Sequence, residues 1–300
     1  MNQNPVVKDA FFNSLTESLN FANMCVLGLP WDNSSSFRKG AIQGPEYIRH
    51  ATTGSLYNSY AETGIDIKKV WQIFDLGDAP ISELSAIEAK ENIFQILSKY
   101  NQYNMHYFFL GGDHLSTYFT FTTLKRLADK RLGLIYIDAH PDLYEHYEGN
   151  PYSHACVVRR IIDETNIEPE TIFQVGIRAP TPEQTEFAKS VGINTITTND
   201  FQLNGTKATA ESIKAKIPKY LDGVYLSIDM DILDPAYAPG VGNPEPAGLT
   251  TRELVDFIHG LQGIKLPAFD LVEYSPKFDF SGITAFAAAK IIKEILSIMV

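Results

Sequence analysis

The sequence predicts an α/β protein of three layers. A central, mostly parallel sheet of about eight strands carries helices on both faces, in one domain spanning residues 1–300. Three observations support this. Short runs rich in β-branched and aromatic residues alternate with longer segments of helical periodicity, the pattern of repeated strand–helix–strand units. The strand-like runs, such as Leu134-Ile135-Tyr136-Ile137, are apolar throughout, as expected of strands covered on both faces. No Pro/Gly/Ser-rich linker, composition shift or repeat divides the chain. A closed eight-stranded barrel is the rival architecture. In both, sites gather at the carboxyl ends of the strands.

Residues 5–21 read as an N-terminal helix or arm. Residues 24–29 form the first strand, followed by a polar loop through Ser34-Ser35-Ser36-Phe37-Arg38-Lys39-Gly40. Gly44-Pro45 opens a helix, because proline suits a first turn. A second strand covers 70–75. Residues 85–100 have helical spacing, with Ile87, Ile93, Ile96 and Leu97 expected on one buried face. Strand 105–110 runs into Gly111-Gly112-Asp113-His114, and a helix follows over 116–128. The central strand ends in Asp138-Ala139-His140-Pro141-Asp142. Helix 154–165, strand 171–177, helix 182–191, short strand 192–197 and helix 208–219 come next. Strand 223–229 has a second acidic exit, Asp229-Met230-Asp231. Thr250 and Glu253 form a capping box for a helix reaching about 261. Strand 266–272 ends in Glu273, and 282–299 is the last helix.

The net charge of −11 and the lack of any Lys/Arg-rich run argue against a nucleic-acid partner. Lys125-Arg126 and Lys130-Arg131 read as a solvated helix face. No apolar run approaches the roughly 18 residues of a membrane helix, and no basic-then-apolar segment opens the chain. Two cysteines, Cys25 and Cys156, make no disulfide framework. The expectation is a cytoplasmic protein with no membrane partner. His50, His106, His146 and His259 lie outside any motif and read as structural or surface residues.

The strand exits carry the chemistry. In extended chain, residues i, i+2 and i+4 point the same way, so Asp138, His140 and Asp142 can converge. A polar loop with solvated acids is the bland alternative for that triplet alone. Adding His114, Asp229 and Asp231 from neighbouring exits places four carboxylates together, a formal −4. Without cations some would have to stay protonated. Two divalent ions would neutralise the set and could share a solvent molecule. Donors that are mostly oxygen, with no thiolate, favour Mn²⁺ over Zn²⁺.

These motifs resemble the metal motifs of the ureohydrolases, the arginase, agmatinase and formimidoylglutamase superfamily. They are Gly111-Gly112-Asp113-His114, Asp138-Ala139-His140-Pro141-Asp142, and Ser227-Ile228-Asp229-Met230-Asp231-Ile232-Leu233-Asp234-Pro235. The resemblance implies two Mn²⁺ held by His114, Asp138, His140, Asp142, Asp229 and Asp231 on a three-layer arginase-like fold. Ala236-Tyr237-Ala238-Pro239-Gly240, Pro244-Glu245-Pro246-Ala247-Gly248-Leu249-Thr250, and Phe37-Arg38-Lys39-Gly40 followed by Gly44-Pro45 are closer to the agmatinase branch.

On this resemblance Glu273 holds the guanidinium, Tyr144 stands where arginases read the amino-acid end of their substrate, and His154 is the proton shuttle. Asp142 passes a proton to the leaving nitrogen. Ala155-Cys156-Val157 departs from the usual continuation after Ser153-His154. Agmatine, giving putrescine and urea in polyamine formation, is the expected substrate of a homo-oligomer, a trimer or hexamer. The alternatives are guanidinobutyrase, guanidinopropionase, formimidoylglutamase or arginase activity. An acidic tail would want a cation, for which Arg178 or Arg159 is available. Glu145, Glu148 and Glu183 are expected to add negative charge near the mouth.

Overall fold

The computed structural model describes residues 7–101, 105–128 and 130–300. Eight strands form one sheet: β1 (Met24–Gly28), β2 (Ile73–Asp78), β3 (His106–Leu110), β4 (Leu132–Ile137), β5 (Ile172–Ile177), β6 (Asn194–Thr197), β7 (Gly223–Asp229) and β8 (Ala268–Val272). Their order is β2-β1-β3-β8-β7-β4-β5-β6, and every neighbouring pair is parallel. The sheet is open, with β2 and β6 at its edges, so the barrel alternative is excluded.

Side-chain alternation along the strands builds two cores. Phe108 and Leu110 of β3, Ile135 and Ile137 of β4 and Leu226 and Ile228 of β7 share one apolar cluster. Tyr107, Phe109, Leu134, Tyr136 and Tyr225 belong to the cluster on the opposite face. Burial on both faces explains why these strands read as continuous apolar runs. The helix Ile283–Ile298 is buried along almost its whole length.

The strand order positions the site. The chain lays down β1, β2 and β3, then leaves a gap before β4. Later, β7 and β8 return to fill it. Four adjacent central strands, β3, β8, β7 and β4, therefore bring together exits far apart in sequence. Ser85 caps the helix Ala86–Ser98 with Glu88, and Thr250 caps Thr251–Gly260 with Glu253, each as a reciprocal capping box.

Four details differ from the sequence reading. The second strand, expected over 70–75, runs over Ile73–Asp78, because the chain before it closes a helical turn, Ile67–Val70. Residues 7–21 hold only one irregular helical turn, Ala10–Asn13, in place of a full helix; residues 5 and 6 lie outside the described residues. Phe11, Phe12 and Asn13 have φ of 51°, 62° and 63°, a left-handed turn that tucks both aromatic rings into the core. The chain then lies along β2, with Thr16 N–H donating to the Ile73 carbonyl at 2.9 Å. Ile87 is 59% exposed, because the buried face of its helix runs through Ala89, Ile93 and Leu97. A helix at Thr198–Asn204, absent from the sequence reading, starts from a Thr197–Asp200 capping box.

Phe108 is fully buried and stacks on Phe269 at 4.2 Å between centroids. Phe108→Ala is expected to cost about 3–5 kcal/mol of unfolding free energy. Urea denaturation measures this, and a loss below about 1 kcal/mol would contradict the described packing.

Candidate metal and hydrolytic centre

The site begins with backbone geometry. Past the end of β3, Gly112 passes so close to Trp31 that a Cβ would stand 1.8 Å from the Trp31 carbonyl oxygen. Only glycine permits this approach. Asp113 N–H then donates to the Trp31 carbonyl at 2.7 Å, and the turn delivers His114 over the sheet. Past β8, Glu273 N–H donates to the Gly112 carbonyl at 2.8 Å, tying the β8 exit to the β3 exit. Glu273 has φ of 62° and Asp142 φ of 49°. Left-handed backbone costs a non-glycine residue free energy and persists where the surroundings enforce it, often at functional sites.

Five of the six side chains picked out at the strand exits converge as two groups that share Asp138, and the sixth, Asp142, stands beside His114. His114, Asp138 and Asp229 form one; Asp138, His140 and Asp231 form the other. His114 Nδ1 lies 2.9 Å from Asp138 Oδ2, 3.0 Å from Asp229 Oδ2 and 3.7 Å from Asp142 Oδ2. His140 Nδ1 lies 2.9 Å from Asp231 Oδ2 and 3.5 Å from Asp138 Oδ1. The two oxygens of Asp138 thus face different groups.

These residues fit divalent cations. His114 Nδ1 and Asp138 Oδ2 are both buried, and neither makes a hydrogen bond. Adjacent donors around an octahedral ion with bonds of about 2.1 Å lie about 3 Å apart, which is the spacing seen. On the far side of the ring, His114 Nε2 lies 3.0 Å from Ser227 Oγ, which lies 3.0 Å from Thr117 Oγ1. Donation by Nε2–H leaves the Nδ1 lone pair directed at the carboxylates. Tyr136 stacks on the His114 ring at 4.3 Å, and its hydroxyl donates to Asp142 Oδ2 at 2.6 Å. Tyr136 did not stand out in the sequence, because it sits inside a strand and reads as core; Ser227 opens the third motif, but its contact with His114 had no local signal.

Crowding appears in the proton affinities. Burial and the neighbouring Asp138 charge raise Asp142 to about 7. Burial and the charge of Glu273 raise Asp113 to about 7. Burial also raises Asp229 and Asp231, with other site acids adding to it. Burial opposes charge on His114 and His140, but the surrounding aspartates outweigh it and raise both. Asp138, drawn to both imidazoles, is lowered despite burial.

Beside this group, Glu273 Oε1 accepts from His114 N–H at 2.9 Å and faces His154 Nδ1 at 2.8 Å. Oε2 lies beside Gly242, where a Cβ would stand 3.3 Å away. His154 is 7% exposed. Burial disfavours its charge, but Glu273 reverses this and raises its pKa to about 9. A cavity of about 160 Å³ opens over these groups, bounded further out by Tyr144, Tyr147, Ala179 and Asn243. Tyr144 and Tyr147 pack ring against ring at 5.3 Å. Glu145, Glu148 and Glu183 are exposed and stand outside its lining.

The chain as a whole matches the family model described as Arginase family, over residues 22–297. It belongs to the arginase family. It is 36% identical to the agmatinase of Bacillus anthracis, over 92% of this chain and 91% of that protein. It is 33% identical to a guanidinopropionase of Pseudomonas aeruginosa, over 91% of this chain and 86% of that protein. The solved structure of proclavaminate amidino hydrolase from Streptomyces clavuligerus superposes with a TM-score of 0.88 at 30% identity, covering 97% of this chain and 96% of that one. The protein is a hydrolase of amidino C–N bonds with the arginase-like α/β fold. The named relatives differ in substrate at similar identity, so identity leaves the substrate tail open.

Without cations the crowded acids should make stability pH-dependent. Asp113 and Asp142 have folded-state values of about 7 against an ordinary carboxyl value near 4. A raised carboxyl contributes stability that is complete below about pH 4 and is lost as pH rises toward 7. Asp138 and Glu273 are lowered, so their contributions vary only below that window. Chelator-treated protein is therefore expected to melt several degrees lower at pH 7.5 than at pH 5. Saturating divalent cation, by binding the native state, should remove most of the difference. Calorimetry at both pH values checks this; equal melting temperatures for the metal-free protein would contradict it.

Proposed function

We propose that the protein hydrolyses the guanidinium group of agmatine to putrescine and urea. The observation that carries this reading is the charge of the cavity. Its described lining contains carboxylates, imidazoles, tyrosines and amides, and no lysine or arginine. A carboxylate-tailed substrate would bury its charge there unmatched, at a cost of several kcal/mol.

The two arginines that might have met such a tail are engaged elsewhere. Arg178 donates to the Asp231 carbonyl at 2.6 Å and to the Glu245 carbonyl at 2.7 Å. Arg159 pairs with Asp163 at 3.1 Å and lies 4.3 Å over the Phe187 ring. The Tyr144–Tyr147 pair at the mouth offers apolar, electron-rich faces that suit a methylene chain ending in an ammonium.

In this reading His114, Asp138, His140, Asp142, Asp229 and Asp231 hold two divalent cations, Mn²⁺ by the oxygen-rich donor set. When bound, such a pair supplies hydroxide at neutral pH. Glu273 orients the substrate, its Oε2 accepting N–H groups of the planar guanidinium. Gly242, which has no side chain, lies beside Oε2. Asp142, held by Tyr136, carries a proton to the leaving nitrogen, and His154 exchanges it with solvent. The same reading assigns the protein to the cytoplasm as a homo-oligomer, a trimer or hexamer.

The test is kcat/KM for agmatine, arginine and guanidinobutyrate measured side by side on Mn²⁺-loaded protein. Agmatine is expected to exceed both acidic-tailed compounds by about a hundredfold or more, by ~1.4 kcal/mol per decade. Arginine or guanidinobutyrate turned over as well as agmatine would refute the reading. Glu273→Gln should lose at least about two decades in kcat/KM, the scale of a charge-assisted contact to substrate. Its circular dichroism should match that of the parent, and retained activity would remove Glu273 from the substrate's contacts.

A further inference from the structure

The polar loop Ser34-Ser35-Ser36 runs across the top of β1 and clasps His154 at two points. His154 N–H donates to the Ser34 carbonyl at 3.2 Å. At the other end of the side chain, Ser36 N–H donates to His154 Nε2 at 3.0 Å, and Ser36 Oγ stands 2.7 Å from the same nitrogen. The loop is anchored from below by the buried Asp113. Its Oδ2 accepts from Ser34 N–H at 3.0 Å, from Ser34 Oγ at 2.6 Å and from Ser35 Oγ at 3.3 Å. Trp31 Nε1–H donates to Ser34 Oγ at 3.2 Å.

A backbone N–H can only donate, so the Ser36 amide matches a neutral ring with its lone pair on Nε2. The ring proton then resides on Nδ1 and points at Glu273 Oε1. A ring that gains and loses a proton also needs a partner for the charged form, in which Nε2 carries hydrogen. Only a group able to reverse direction serves both forms, and a hydroxyl does so by rotating. Ser36 is exposed, so its hydroxyl can turn its own hydrogen to solvent while accepting from the ring.

We propose that Ser36 is a positioning residue for the hydrolytic reaction: its amide orients the His154 ring, and its hydroxyl lets the ring change charge without leaving Nε2 unmatched. Glu273, Asp113 and Asp142 act on His154 from the other sides and favour its charged form. Among the described residues, Ser36 supplies the hydrogen-bond partners of Nε2, the ring nitrogen not facing Glu273. This rests on the amidino-hydrolase assignment and not on the choice of agmatine.

The test uses Ser36→Ala and Ser36→Thr in the full-length, Mn²⁺-loaded protein, assayed for urea release. The substrate is whichever guanidino compound the parent turns over best. Ser36→Ala keeps the amide and loses the reversible partner. Its kcat is expected to fall roughly tenfold with KM little changed, the scale of one hydrogen bond to a charged group. The alkaline limb of its pH–kcat profile, where His154 gives up its proton, should move down by about one unit. Ser36→Thr, which retains the hydroxyl, should restore both kcat and the profile. A profile for Ser36→Ala that parallels the parent, or a Ser36→Thr variant as impaired as Ser36→Ala, would overturn the proposal. A wrong substrate assignment would appear in the parent enzyme, whereas an error about Ser36 would appear only in the ratio of variant to parent.

Discussion

Four carboxylates held within a few ångströms, in a setting almost closed to water, are the constraint that the rest of this molecule accommodates. Asp138, Asp229 and Asp231 are 0–2% exposed and Asp142 is 7% exposed. Buried like charges repel strongly at low effective dielectric. The protein answers partly through the imidazoles of His114 and His140 and partly by raising proton affinity. Two cations would answer it more completely, and Asp138, common to both donor groups, would serve both. The parallel sheet makes the crowding possible, since only strands running the same way bring four exits to one edge.

The shell around the acids is as specific as the acids themselves. Tyr136 reaches from β4 to Asp142, and Ser227 reaches from β7 to the back of His114. Asp113, next to His114, serves the Ser34–Ser36 loop instead of the central group. One four-residue turn, Gly111 to His114, thus sets both a candidate ligand and the clasp on His154. Glu273 couples the two halves, because its Oε1 touches both His114 N–H and His154.

Much of this was legible in the sequence because strand exits announce themselves. An apolar run cannot end in Asp-x-His-x-Asp without consequence, and the eight strands follow from their unbroken burial. The local geometry was read less well. The acidic exit Asp229-Met230-Asp231 is no extended segment: Met230–Ile232 is a 3-10 turn, Asp231 N–H folds back onto Asp229 Oδ1 at 2.7 Å, and the two aspartates fall in different donor groups. Asp142 reaches the group through a left-handed residue, not by simple period-two alternation. Tyr136, Ser227 and Ser36 were invisible as site residues because their roles depend on contacts across 6, 113 and 118 positions. The buried turn at Phe11-Phe12 was equally hidden, since positive φ at phenylalanine has no local signature and is enforced by packing.

In the proposed centre, Asp138 would join two cation sites into one. Electron paramagnetic resonance of the protein loaded with Mn²⁺, with metal content determined on the same sample, can decide this. Two ions per chain and a spin-coupled spectrum from a closely spaced pair are expected, and Asp138→Ala should abolish the coupling. One ion per chain, or two that give only the spectrum of isolated Mn²⁺, would contradict it.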